Sequence, residues 1–215
     1  MSDLLPSPSV PDVSDVAGFS DAMSKRFGAT IILPDNPIRE AILSGAMIAM
    51  KFAKLDSPLL VSAIDRLDAI SVTLGSFIVL SANAVSDPVT RMEVVAHECT
   101  HVSQVRDSGI VQNTLDYLFS AELRTKLEAD AYGAGAFVRY LLTGSLPDVS
   151  DTASRLSSGP YALSDVELSL ATEIARSHLE TMVRGTCPPV KSAIAALEWL
   201  RTNNPNLIRV PAFLP

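Results

Sequence analysis

Cysteine is nearly absent from this chain. Two thiols, Cys99 and Cys187, in 215 residues cannot build a disulfide scaffold, so the fold must be held by an apolar core. No run of lysine and arginine occurs anywhere, and the formal net charge is −7. Binding a nucleic-acid backbone or an anionic membrane needs clustered cations, so no nucleic acid and no membrane is expected among the partners. Long apolar runs are missing as well. The longest, residues 41–50, is interrupted by Ser44 and Gly45 and falls short of the ~20 residues that cross a bilayer. The N-terminal residues lack the basic and apolar regions of a secretory signal. The expectation is a protein with no signal peptide or transmembrane segment, cytoplasmic or part of an intracellularly assembled particle.

Disorder is not expected except at the ends, because 47% of the residues are hydrophobic. That is enough for one sizeable core, or for one domain with a small appended lobe. Residues 1–15, rich in Ser, Pro and Asp, read as an extended arm; 16–145 as the core domain; and 146–215 as a helical extension on the same core. The arm and the Pro-punctuated tail, residues 205–215, are the candidate contacts for a homo-oligomer or a larger assembly.

Histidine is also scarce, at three in the chain, and two of the three fall in Val94-Val95-Ala96-His97-Glu98-Cys99-Thr100-His101-Val102-Ser103-Gln104. On a helix, residues four apart share a face, so His97 and His101 point the same way with Glu98 beside them. Two neutral imidazoles at this spacing supply half of a tetrahedral zinc shell, and the carboxylate can deprotonate a water in an open position. Met92, Val95, Ala96, Cys99, Val102 and Val105 form an apolar stripe that anchors such a helix in a core. Asp87-Pro88 caps it, and the helix is expected over 88–107. Cys99 lies ~200° round from His97, on the packed side, and is expected to be an inert thiol, as is Cys187.

Periodicity places helices over 16–27, 38–55, 57–67, 115–142, 164–183 and 190–201. Strands are expected over 29–33, 69–73 and 77–81, the last two joined by a glycine turn. The stretch 143–159 reads as loop. The fold class is α+β, mainly helical, with about six helices on a sheet of about three strands.

A catalytic zinc takes three protein ligands, and several carboxylates are available for the third. The helix over 115–142 carries Lys126-Leu127-Glu128-Ala129-Asp130-Ala131-Tyr132-Gly133-Ala134-Gly135, and Asp107 lies shortly after the motif. In this pairing of an HExxH helix with a glutamate-bearing helix the chain resembles the gluzincin zinc metallopeptidases, in particular the small single-lobed minigluzincins. The resemblance implies a zincin-like fold in which the two helices face each other. It also implies one Zn²⁺ held by His97, His101 and Glu128, and peptide hydrolysis with Glu98 as general base. Many gluzincins place an aspartate four residues after the ligand glutamate; Tyr132 stands there instead. Asp130 is the alternative ligand, and Asp130 or Tyr132 would otherwise orient a zinc-bound histidine. The metzincin pattern fits less well, since Gln104 and Asp107 occupy its glycine and third-histidine positions. Larger gluzincins stabilise the oxyanion with a C-terminal histidine or tyrosine, which gives His178 that role; a packing histidine is its ordinary reading. Residues 77–81 are either an edge strand that adds a substrate strand or a plain core strand. The implied partner is a peptide or protein substrate. The alternative is a structural or assembly protein, such as a subunit of a larger particle, that keeps this fold and its zinc site.

Overall fold

The structure is a computed structural model that describes residues 9–52, 70–158 and 163–214. The described residues form eight α-helices and one three-stranded sheet, a mainly helical α+β architecture with more helices than expected. The helix anticipated over 57–67 lies outside the described residues.

Helix α1, Val13–Phe27, starts within the expected arm because Asp12 and Asp15 form a capping box. The Asp12 carboxylate accepts the orphan amides of Ser14 and Asp15, which is what an N-cap aspartate does best. Val16, Phe19, Met23 and Phe27 are its buried stripe, and Gly28 ends it at φ 65°. Strand β1, Thr30–Ile32, follows, then α2, Arg39–Phe52.

Strands β2, Val72–Leu74, and β3, Phe77–Val79, form the anticipated hairpin, with Gly75 at φ 64° in the turn. The sheet order is β1-β3-β2, with β1 parallel and β2 antiparallel to β3. The edge-strand reading of residues 77–81 is therefore corrected: β3 is hydrogen-bonded on both sides, and its side chains Ile78 and Val79 are buried. Among the described residues the edges are β1 and β2.

Helix α3, Pro88–Ser108, carries the motif and is capped by Asp87, which accepts the Thr90 amide. Two helices then occupy the region where a single one was expected: α4, Ile110–Phe119, and α5, Ala121–Thr143. Ser120 makes the break. It adopts φ −118°, ψ 102° and uses its side chain to cap the Leu123 amide, a local bond that competes with helix continuation. Helix α6, Val149–Ser158, occupies part of the stretch read as loop. Asp148 starts it by accepting the Ser150 amide. Helices α7, Asp165–Val183, and α8, Lys191–Asn203, complete the set.

Helix α3 lies at the centre, packed against α1, α5 and α8. Its buried face of Met92, Val95, Ala96, Cys99 and Val102 joins Phe19, Phe137, Leu141, Leu200 and Phe213 in one core. Burial pushes the Cys99 thiol up to about 12, consistent with an inert thiol. Small residues set the spacing of α3 and α5. A Cβ on Gly135 would sit 3.1 Å from the Glu93 carbonyl oxygen and 3.6 Å from His97 Cβ, so glycine there lets the helices come close enough for side chains from both to share a metal. Helix α7 covers another face of α5, where a Cβ on Gly133 would meet the His178 ring at 2.4 Å. No helix among the described residues is long and apolar enough to cross a membrane.

Candidate metal centre

Helix geometry brings His97 and His101 to one face of α3, with their Nε2 atoms 3.2 Å apart. From α5, Glu128 places Oε2 3.7 Å from His97 Nε2 and Oε1 3.5 Å from His101 Nε2. One ligand atom from each of the three residues lies within 4.8 Å of the others. Nitrogen and oxygen ligands ~2.1 Å from zinc, set at tetrahedral angles, are ~3.4 Å from each other. The observed separations, with one carboxylate oxygen toward each imidazole, are close to that spacing.

Burial points the same way. Glu128 is 2% exposed, and its Oε2 has no hydrogen-bond partner among the described residues. A buried carboxylate oxygen left unbonded is costly, and a cation between it and the two imidazoles removes that cost. The histidine side chains are 14% and 15% exposed, so both keep some contact with solvent.

The surrounding residues orient each ligand. Gln104 Oε1 lies 2.9 Å from His101 Nδ1, while the Gln104 amide nitrogen donates to the Leu127 carbonyl. With the amide group fixed in that direction, Nδ1 of His101 donates, and Nε2, turned toward Glu128, is the nitrogen that would give its lone pair to a metal once deprotonated. Tyr117, from α4, donates its hydroxyl to Glu128 Oε1 at 2.7 Å. Tyr132 packs edge-on against the His97 ring, centroids 4.7 Å apart. Replacing Gln104 by Ala is expected to weaken metal binding at this site about 10- to 100-fold, measurable by chelator competition.

Glu98 is 4% exposed and reaches β2, where Thr73 donates its hydroxyl to Glu98 Oε2 at 2.7 Å. Burial lifts its carboxyl to about 7, against the lowering effects of His101 and the Thr73 bond. His97 is pushed down to about 3, first by burial and then by the charge on His101. Burial opposes charge on His101 too, but the Glu128 carboxylate outweighs it and raises the imidazole to about 9. Burial likewise disfavours the Glu128 anion, and His101 overrides it, holding the carboxyl at about 2. Without metal, the centre is a His101–Glu128 ion pair beside a neutral His97.

Three expectations are corrected. Asp107 does not join the site; it pairs with Lys191 at 2.6 Å on the surface. Asp130 is neither ligand nor orienting group, since its Oδ1 lies 3.0 Å from His178 Nε2. That contact also removes His178 from the oxyanion role. On α5, Glu128, Tyr132 and Gly135 face α3, whereas Asp130 and Gly133 meet α7, ~140–200° round the helix. His178 is thus a buried packing histidine on the far side of α5. Thr73, Tyr117 and Gln104 were not anticipated.

Compared with protein-family models, with curated proteins and with solved structures, the chain matches none of them. The reading of the site rests on its own geometry.

Proposed function

We propose that the chain is a zinc-dependent metallopeptidase of the gluzincin type, with a zincin-like fold. The observation that carries this is the arrival of Glu128, from a separate helix, at ligand distance from both motif histidines. Two imidazoles and one carboxylate are a donor set for catalytic zinc, which keeps a fourth position open. Zinc, when bound, supplies an acidified water and polarises the scissile carbonyl.

The protein's own part is positioning and proton transfer. His97, His101 and Glu128 hold the metal, fixed by Tyr132, Gln104 and Tyr117 respectively. Thr73 binds Oε2 of Glu98, which leaves Oε1 to take a proton from the attacking water and return it to the leaving amine. In the metal-free protein burial lifts this carboxyl to about 7, the range in which one group can accept and then donate a proton near neutral pH.

Elemental analysis of the purified protein is expected to find one zinc per chain. Digestion of a proteome-derived peptide library should show cleavage that stops on chelation and returns with zinc. Stoichiometric zinc with no cleavage would overturn the peptidase reading in favour of a structural or assembly protein.

A further inference from the structure

Next to the metal ligands, one turn back along α3, lies a cluster that peptide hydrolysis as described does not use. Glu93 precedes His97 by four residues and so shares its face, ~6 Å along the axis. It is 9% exposed and carries two guanidinium groups. Arg139 Nε donates to Glu93 Oε2, and Arg139 Nη2 donates to Thr90 Oγ1 at 3.1 Å. From α6, Arg155 Nη1 lies 3.5 Å from Glu93 Oε1. Arg139 is shared between the Glu93 and Asp87 carboxylates, whereas Arg155 meets only a carboxylate that Arg139 already occupies.

The two arginines are placed differently. Arg139 bridges two residues of α3 and holds Glu93 to that helix. Arg155 comes from a separate helix, and its side chain is 55% exposed. A guanidinium has five donors in a planar fork, suited to bidentate carboxylate binding.

We infer that Arg155 is a specificity-determining residue that binds a substrate carboxylate within two residues of the scissile bond. The distance follows from helix and strand geometry: four residues of α3 span ~6 Å, and an extended peptide advances ~3.3–3.6 Å per residue. The carboxylate belongs to an Asp or Glu side chain or to a peptide C-terminus. The inference rests on the peptidase reading, and its test separates the two.

A peptide library is digested by wild type and by the Arg155→Lys and Arg155→Ala variants, and the cleaved bonds are sequenced. Wild type is expected to favour bonds with a carboxylate within two residues by about tenfold, as one charge-assisted contact allows. Arg155→Lys should keep part of that preference and Arg155→Ala none. The second readout is binding without turnover, in which the zinc-loaded Glu98→Gln protein should bind a fluorescent acidic peptide about tenfold more tightly than its amide counterpart. Adding Arg155→Ala should erase the difference. Cleavage with no acidic preference, or a preference that survives Arg155→Ala, overturns this inference and spares the peptidase reading. A uniform fall across all bonds would make Arg155 a structural clamp between α6 and α3, which also overturns it. Absence of any cleavage by zinc-loaded wild type overturns both.

Discussion

Replacing Glu98 by Gln is expected to leave zinc in place and lower kcat by about 10²- to 10⁴-fold, the usual contribution of a positioned general base. The substitution is nearly isosteric. The amide oxygen can still accept the Thr73 hydroxyl, and no metal ligand is touched, so packing around α3 and β2 should survive. The group that takes and returns the proton is lost. Zinc content, the thermal unfolding midpoint and cleavage of a library-derived peptide, measured on one preparation, check this. An unchanged kcat would sink the mechanism. Loss of zinc along with activity would show that Glu98 supports the metal rather than the proton transfer.

The motif helix and its partner were legible because their signals are local. Asp87-Pro88 marks the start of α3, and the observed Pro88–Ser108 departs from 88–107 by one residue. The His97/His101 spacing fixes a shared face whatever surrounds it, and the small residues around Ala131–Gly135 mark where α5 can approach. Residues that depend on how the chain returns were not legible. Tyr117 and Glu128 are 11 residues apart in sequence; on one continuous helix they would be ~16 Å apart and unable to touch. Only the Ser120 break folds α4 back so that the phenol reaches the carboxylate. Thr73 likewise reaches Glu98 only because β2 is laid against α3. Gln104 was readable in principle, since three residues after His101 is a neighbouring position on a helix. Asp130 misled because it is two residues from Glu128, close in sequence and on the other side of α5.

The metal-free protein is expected to show a stability plateau between about pH 4.5 and 6.5 and to lose stability above it, a loss that zinc removes. Consider His97 first. Its folded value, about 3, lies below the ordinary 6.5, so between these limits the unfolded chain binds the extra proton and stability is lost as pH falls. His101 has the opposite sign. Its folded value, about 9, lies above 6.5, so between 6.5 and 9 the folded protein holds the extra proton and stability is lost as pH rises. Glu98 has the sign of His101: its folded value, about 7, lies above its ordinary 4.5, so between 4.5 and 6.5 it offsets His97 and the profile is level. Glu128, held at about 2, adds a further loss only as pH falls below its ordinary 4.5. Each proton contributes a slope of at most about 1.4 kcal/mol per pH unit. Zinc must displace the His101 proton, since both imidazoles ligate as neutral groups. Binding near pH 7 should therefore release about one proton, and zinc affinity should rise about tenfold per pH unit until it levels off near pH 9. Calorimetry in buffers of different ionisation enthalpy reads the proton count, and chelator competition reads the affinity. A zinc affinity that is flat between pH 7 and 9 would show that His101 is already neutral in the metal-free protein, and that the Glu128 carboxylate does not hold its charge there.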